Sequence, residues 1–325
     1  MTFTSTDLEV EGAAAGGETA GDPAPSSPPA SGRRLVRAFL HDRAALACSV
    51  YILLIILMAL AAPLLVKLSG WGPLEFDQSA VDPNLGGLPL GTAGGVSAEH
   101  WFGVEPGNGR DIFARIVYGA RVSMTIALLA TVLTSVLGVV FGLLAGYFGG
   151  RVDMVISRVM EFLMAFPALI FMIAVLSALP AENRQFLLVG VISFFGWPYL
   201  ARIIRGQTMS LKEREFVESA KASGATSIQI IFKEILPNLS STIIVMTTLA
   251  VPGYVGTEAG LSFLGVGVVP PTPSWGQMIA SSVPWYAVDP AYFLFPGAFL
   301  FLLVLSFTVL GDRVKKIAES GEGRA

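Results

Sequence analysis

Six apolar segments without a single Lys, Arg, Asp or Glu constrain this chain more than any other feature. They are residues 44–66, 122–147, 162–179, 186–201, 239–256 and 292–310. A helix needs about 20 apolar residues to cross a bilayer, and these segments are close to that length. The charged fraction of the whole chain is 14%, against roughly 25% in an average soluble domain. The sequence therefore predicts an all-α integral membrane protein with six transmembrane helices.

The stretches between and around these segments divide the chain further. Residues 1–31 are rich in Ala, Gly, Pro and Ser, so they cannot bury enough apolar surface to offset the entropy of ordering. We predict a disordered tail there, followed by an N-terminal segment with the first transmembrane helix in residues 32–66. An external loop is predicted for residues 67–118 and a transmembrane core for residues 119–312. A second tail follows in residues 313–325.

The distribution of basic residues predicts the orientation. With the N-terminus in the cytoplasm, 16 of the 21 Lys and Arg residues fall in cytoplasmic segments. Membrane proteins concentrate Lys and Arg in their cytoplasmic loops. We therefore predict a multi-pass protein of the cell membrane with both termini, and the charged loop at residues 202–237, in the cytoplasm. Most tryptophans fall in predicted external segments, where interfacial anchoring is common. They are Trp71, Trp101, Trp275 and Trp285.

No set of residues in the sequence indicates catalysis. The two histidines, His41 and His100, lie in different segments, so a histidine metal site has little support. The single cysteine, Cys48, reads as a small buried apolar residue. The net charge of −3 and the absence of a basic domain argue against nucleic acid binding. No Gly-x4-Gly-Lys-Ser/Thr phosphate loop occurs, so we predict that this chain does not hydrolyse ATP and holds no metal or cofactor.

Small residues and prolines mark several of the apolar segments. Gly138, Gly142 and Gly146 are four residues apart, which puts them on one helix face and allows a neighbouring helix to approach closely. We predict that they serve helix packing. Proline removes a backbone donor and kinks a helix. Among the prolines in these segments are Pro167, Pro198, Pro252 and Pro296.

The loop at residues 202–237 is unusually long and structured for a connection between membrane helices. Good helix formers fill residues 212–223, and Gly224 is suited to end that helix in the left-handed conformation. Ser227 is suited to cap a second short helix, and Pro237 to begin the next membrane helix. The second helix carries an apolar stripe of Ile231, Phe232, Ile235 and Leu236. Lipid headgroups, the bundle itself or another protein would have to cover this stripe.

The spacing within this loop resembles a known signature. Glu218, Ala220, Gly224 and Pro237 reproduce the Glu-x-Ala-x3-Gly-x12-Pro pattern of the coupling loop in type I permease subunits of ATP-binding cassette (ABC) importers. Further stretches resemble one branch, the second permease of dipeptide, oligopeptide and nickel importers. They are residues 109–123, 146–153, 165–167, 258–267, 270–276 and 310–312. The chain departs from the signature at Ser219, where Ala is usual, and at Glu234, where isoleucine is usual.

The resemblance implies a division of labour. The fold would be that of a type I ABC importer permease, and its coupling helix would dock in a groove of a separate ATPase subunit. The implied coupling residues are Phe216, Glu218, Ala220, Gly224, Leu236 and Pro237. The implied partners are a second homologous permease, two ATPase subunits that bind ATP and Mg, an external solute-binding protein and the lipid bilayer. The chain would form half of a pore for peptides or a related small solute, and its substrate-binding residues stay unidentified.

Two other classes of function are open on the sequence alone. A carrier driven by an ion gradient would also have apolar spans and no ATPase motif, although such carriers commonly place ionisable groups inside their spans. A membrane scaffold could use the charged loop to recruit a soluble partner without transporting anything. Uptake by the isolated chain would distinguish the first from an ATP-driven permease, and loss of cargo uptake on deletion would argue against the second.

Overall fold

Helices make up most of the described chain, which is residues 42–322 of this computed structural model, with side chains described for residues 42–316. The predicted tail at residues 1–31 and the end of the second tail, residues 323–325, lie outside the described residues. The helices are α1 (Arg43–Leu60), α2 (Ala62–Ser69), α3 (Ile112–Phe148), α4 (Gly150–Ala165), α5 (Ala168–Ala178), α6 (Arg184–Lys212), α7 (Glu215–Ala222), α8 (Ser227–Ile230), α9 (Leu236–Phe263), α10 (Trp275–Ser282) and α11 (Pro290–Glu322).

Short elements complete the architecture. Two strands, β1 (Val81–Asp82) and β2 (Leu88–Pro89), pair antiparallel with Val81 opposite Pro89. A single π-helical turn, Ile231–Ile235, joins α8 to α9 without a break, so the helical stretch runs from Ser227 to Phe263. Short 3-10 turns lie at Gln78–Ala80, Pro83–Leu85 and Val283–Trp285.

The membrane-spanning character predicted from the sequence is confirmed. Five helical stretches of the described chain are long and apolar enough to cross a bilayer: Arg43–Leu60, Ile112–Phe148, Arg184–Lys212, Ser227–Phe263 and Pro290–Lys316. A sixth span arises if α4 and α5, which are bent by 87° relative to each other, form one broken span. The all-α fold class therefore holds, with five continuous candidate spans and a sixth if the bent pair is one interrupted span.

The interruption falls at Pro167, within the predicted span at residues 162–179. Phe166 has an extended backbone (φ −93°, ψ 146°), as expected for a residue that precedes proline. Pro167 offers no backbone N–H to continue the α4 ladder, and a new helix starts at Ala168. With 11 residues, α5 is only about 16 Å long, which is too short to cross a bilayer alone. By contrast, the other three prolines lie inside α6, α9 and α11 without ending them.

Several helices extend beyond the boundaries that hydropathy predicts. In the predicted loop at 67–118, α3 already begins at Ile112 because the Asp111 side chain accepts a hydrogen bond from the Ala114 amide (2.6 Å) and caps the helix. In the predicted loop at 202–237, α6 continues to Lys212. The span predicted at 239–256 continues to Phe263 and so includes Glu258, which is fully buried. One carboxyl group is therefore enclosed within a helix that we expected to be purely apolar.

The three glycines of α3 lie along its crossing with α6. A Cβ atom built on Gly138 would sit 2.8 Å from Leu200 Cβ, and one built on Gly142 would sit 2.7 Å from Ile204 Cβ. At Gly146 the corresponding distance to Thr208 Cβ is 2.6 Å. These separations are shorter than side-chain atoms normally approach, so each glycine lets the two helices meet at backbone distance.

We expect Gly142→Ala to destabilise the protein by about 1–3 kcal/mol, because the added methyl group overpacks the crossing against the Ile204 side chain and the Ala201 carbonyl. The matched control is Gly190→Ala in α6, where a Cβ atom has nothing within 4 Å. That change removes a flexible residue from a helix and should leave stability equal or higher. Thermal unfolding of the detergent-purified protein measures both. Equal unfolding temperatures for the two variants would contradict the close packing at Gly142.

Candidate functional site

The loop at residues 202–237 folds into two short helices at the end of the bundle where α3 and α6 finish. Arg214 has an extended backbone (φ −84°, ψ 149°), which separates α6 from α7. The end of α7 follows the prediction, since Gly224 adopts φ +81°. The Gly224 amide donates to the Lys221 carbonyl (3.0 Å), and the Ala225 amide donates to the Ala220 carbonyl (3.1 Å). A left-handed glycine of this kind satisfies the last carbonyls of a helix.

The start of α8 differs by one residue from the prediction. Thr226, and not Ser227, is the N-cap. Its hydroxyl accepts a hydrogen bond from the Gln229 amide (3.4 Å), and its own amide donates to the Gln229 side chain (2.9 Å). This reciprocal pair is a capping box, which satisfies two backbone donors at once. Gln229 three residues after Thr226 was the sequence signal for that cap.

Isoleucines form the side of this segment that faces the bundle. Ile230, Ile231 and Ile235 are 2%, 7% and 0% exposed. Glu234, the departure from the expected apolar position, is partly exposed. The buried place is therefore filled by Ile235, one position further along.

Most of the apolar stripe is covered by the bundle itself. Val217 of α7 packs with Ile230, Ile231, Ile235 and Leu239 into one buried cluster. The membrane helices contribute Leu143, Tyr147, Leu200 and Ile204 to the same cluster. Since these residues belong to α3 and α6, the two short helices pack directly on the close crossing of α3 and α6. Any displacement of α7 therefore acts on that crossing through packed side chains.

Three large apolar side chains of this segment stay uncovered. Phe216, Ile228 and Phe232 are 37%, 68% and 62% exposed. We call these three residues the α7–α8 surface. Phe216 lies in α7, Ile228 in α8 and Phe232 in the π turn, and all three elements pack on the buried cluster. Large apolar side chains exposed on a charged connecting segment make this surface a candidate protein interaction site.

The other residues proposed for coupling fall around this surface in different environments. Glu218 is exposed, and its side chain has no hydrogen-bond or ion-pair partner among the described residues. Ala220 and Leu236 are partly buried against the cluster beneath. Gly224 and Pro237 are exposed, and Pro237 directly follows the π turn within the continuous helical stretch.

An ion pair that the sequence did not reveal lies beside this segment. The Arg205 guanidinium of α6 donates two hydrogen bonds to the Asp153 carboxylate of α4, from Nε to Oδ1 at 2.5 Å and from Nη2 to Oδ2 at 2.6 Å. The Ser157 hydroxyl donates a further hydrogen bond to the same carboxylate (2.9 Å). The two partners are 52 residues apart in sequence, so no local pattern could have paired them.

The opposite end of the bundle carries a folded region that we call the cap, in which residues 71–111 are held to α3 and α11 by a buried ion network. Arg115, with no exposed surface, pairs through Nε with Glu105 Oε1 at 2.5 Å. Its other nitrogens donate to the Gln277 side chain (2.9 Å) and to backbone carbonyls. Arg110 pairs with the second Glu105 oxygen at 2.9 Å, and the Tyr292 hydroxyl donates to the first at 2.9 Å. One carboxylate thus joins the loop 71–111 to α3 and α11.

A histidine lies between two carboxylates in the same cap. His100 Nδ1 is 2.9 Å from Asp111 Oδ2, and Nε2 is 3.2 Å from Asp77 Oδ2. Burial raises the pKa of Asp111, although the Ala114 amide and His100 act in the other direction. A hydrogen bond from Ser79 is the main reason why the pKa of Asp77 is lowered. Within residues 42–316, no group of three or more His, Cys, Asp or Glu side chains is arranged to hold a metal ion.

Two family models match the sequence. The model described as "binding-protein-dependent transport system inner membrane component" matches residues 138–320, and the "N-terminal TM domain of oligopeptide transport permease C" matches residues 32–84. The first match includes the α7–α8 surface, Gly142, Gly146 and both partners of the Asp153–Arg205 pair.

Individual relatives agree with these matches. The dipeptide transport system permease protein DppC of Alkalihalophilus pseudofirmus is 35% identical over 90% of this chain and 93% of its own length. The oligopeptide transport system permease protein OppC of Escherichia coli K12 is 37% identical over 86% of this chain and 87% of its own length. A solved structure of the MetNI methionine ABC transporter shares the fold, with a TM-score of 0.52 and 19% identity over 63% of this chain and 97% of that one. The chain therefore belongs to the binding-protein-dependent transport system inner membrane component family, the permease subunits of ABC importers.

Proposed function

We propose that this permease forms half of a pore that imports peptides, and that ATPase subunits drive it through the α7–α8 surface. The observation that carries the proposal is the exposure of Phe216, Ile228 and Phe232 above a fully buried apolar cluster. Large apolar side chains that are exposed on so charged a segment favour a partner that covers them. In this family the ATPase is a separate subunit, so a groove on that subunit is the partner that we propose.

The proposed assembly has two ATPase subunits, a second homologous permease and an external solute-binding protein. ATP and Mg would bind only to the ATPase subunits. Within this assembly Phe216, Glu218, Ala220 and Gly224 would shape the docking segment, and Leu236 and Pro237 would fix its return to the membrane. The unpaired Glu218 and the exposed apolar residues support an interface in which the apolar side chains are buried and the Glu218 carboxylate pairs with the partner.

We further propose that the α7–α8 surface faces the cytoplasm and that the cap faces the outside, with both termini in the cytoplasm. The basic residues support this orientation, because the segment from 202 to 237 alone carries six Lys or Arg residues. The cap, which is tied together by buried ion pairs, would then be the surface that meets the solute-binding protein. Residues 109–121 and 270–275 belong to that side of the molecule.

Peptides are the substrate class that the relatives favour. The related permeases are named for dipeptide, oligopeptide and glutathione transport, which are all peptides or peptide-like solutes. Peptides carry charged termini, and it is costly to move a charge through an apolar environment. The pore would therefore have to be polar or filled with water. Such a pore would lie between this chain and the second permease.

Reconstitution into proteoliposomes tests the proposal. We expect labelled dipeptide or oligopeptide to accumulate only when ATP, the ATPase subunits, the second permease and the binding protein are all present. The chain alone, under an imposed proton or sodium gradient, should take up nothing. Uptake by the chain alone would overturn the proposal in favour of an ion-driven carrier. A complete complex that hydrolyses ATP but moves no peptide from a panel of lengths would overturn the substrate class.

A further inference from the structure

Helix α4 is connected to its neighbours by two joints. The joint to α3 consists of Gly149 and Gly150, both of which have positive φ angles of 64° and 52°. Gly149 combines this with ψ −156°, a conformation that is open essentially only to glycine. The joint to α5 is the break at Phe166 and Pro167 described above. Because both joints interrupt the helical hydrogen-bond ladder, the covalent connections alone do not fix the angle of α4.

The Asp153–Arg205 ion pair ties the base of α4 to α6, and further along α4 Met160 and Leu163 pack on Trp197 and Ala201. Asp153 lies in the first turn of α4, directly after the two-glycine joint. A guanidinium that donates two parallel hydrogen bonds to one carboxylate holds both the distance and the orientation of its partner. The two side chains are 29% and 19% exposed, so water screens this pair less than a surface ion pair.

Arg205 also connects this contact to the docking segment. It lies two turns before the end of α6 at Lys212, and α7 starts three residues later at Glu215. Its backbone carbonyl meets Gly146 in the tight α3–α6 crossing, 2.7 Å from a Cβ atom built there. The part of α6 that carries Arg205 therefore sits between the crossing on one side and α7 on the other.

We propose that Asp153 and Arg205 are positioning residues for transport, which pass the movement of α7 to α4 and from there to the bent α4–α5 span. This inference rests on the proposed function, because it assumes that an ATPase moves α7. In this arrangement α4 rotates as a rigid body about Gly149 and Gly150. Its base follows α6, and its far end moves α5 relative to the rest of the bundle.

A matched control for this contact exists on the same helix. Arg158 and Glu161 form an ion pair with a nitrogen–oxygen distance of 3.0 Å, but their side chains are 81% and 53% exposed, and both belong to α4. Neither residue has a hydrogen bond or ion pair to a second helix among the described residues, and Arg158→Lys leaves in place the Glu161 carboxylate, which acts on Arg205 only through its charge. Arg205→Lys and Arg158→Lys are therefore the same chemical change at a contact between helices and at a contact within one helix. Lysine keeps the charge but cannot form the two-armed contact.

The test measures substrate imported per ATP hydrolysed, in the complete complex in proteoliposomes. We expect Arg205→Lys and Asp153→Asn to lower this ratio about fivefold or more while hydrolysis continues. Arg158→Lys should match the wild type, and the double variant Asp153→Asn/Arg205→Lys should be no worse than the worse single variant. An unchanged ratio in both single variants, or losses that multiply in the double variant, would overturn the proposal. A merely structural role would lower the amount of assembled complex without changing the ratio.

A second measurement covers the case in which the variants do not assemble. Spin labels at exposed positions Met154 and Glu213, in a background with Cys48→Ser, report the distance between α4 and the start of the docking segment. We expect the same distance distribution without nucleotide and with ATP trapped, because the contact moves as one body. A shift between the two states would overturn the proposal. Intact transport in both Arg205→Lys and Phe232→Asp would show that the proposed docking is wrong. Intact transport in Arg205→Lys alone would show that only the positioning role is wrong.

Discussion

Replacing Phe232 with Asp is expected to reduce ATP-driven uptake by at least about thirtyfold, because aromatic residues at the centre of an interface each contribute roughly 2 kcal/mol or more. Phe232 is 62% exposed, so the folded permease itself loses little. In the docked state, however, the new carboxylate would enter an apolar groove without a partner. The measurement is the amount of ATPase subunit that co-purifies with the permease, together with uptake in proteoliposomes.

Two further variants test whether the loss of uptake comes from the charge placed on the α7–α8 surface. Phe232→Leu keeps an apolar side chain at the same place and should retain most of the uptake. Ile228→Asp, at a neighbouring position that is 68% exposed, should fail in the same way as Phe232→Asp. Normal co-purification and uptake with both Asp variants would show that the ATPase does not bind the α7–α8 surface.

The membrane-spanning helices and the residues that end and cap the loop helices were predictable because they depend on local chemistry. Apolar length reveals a membrane helix wherever it occurs, and Gly224 ends α7 since few other residues adopt φ +81°. Boundaries were less predictable, because polar residues continue a helix when its end is buried or capped. Asp111 starts α3 ten residues before the predicted apolar segment, and α9 carries Glu258 into the bundle, where the Ser262 hydroxyl donates to it (2.8 Å).

The buried face of the loop follows helical periodicity, but the width of that face does not. Ile231, Ile235 and Leu239 are four residues apart and buried, as a helical repeat predicts. Phe232 belongs to the predicted apolar stripe but is 62% exposed, and Leu236 is only partly buried. Which edge of the stripe stays uncovered depends on where α3 and α6 end, and no local pattern in the sequence gives that position.

The cap was the largest omission, since its stability depends on partners that are distant in sequence. Trp275, predicted to anchor at the membrane interface, is instead fully buried, and its indole donates to the Ile116 carbonyl (3.0 Å). Arg115 is 162 residues from Gln277. From the sequence, Arg115 is expected to be exposed to solvent because it lies next to an apolar segment. Only the fold brings Glu105 and the Tyr292 hydroxyl to its side chain. Long-range polar contacts of this kind leave no periodic signal.

Arg115→Met is expected to lower the stability of the protein by about 3–5 kcal/mol, because it leaves the buried Glu105 carboxylate without its main partner. The measurement is the thermal unfolding temperature and the yield of monodisperse protein in detergent. Arg110→Met is the control: it removes an arginine from the same carboxylate, but Arg115 and Tyr292 still satisfy Glu105, so the expected loss is about 1.5 kcal/mol. Adding Glu105→Gln to Arg115→Met removes the unpaired charge and should restore part of the stability. Equal unfolding temperatures for Arg115→Met and Arg110→Met would mean that the buried network does not hold the cap to the membrane helices.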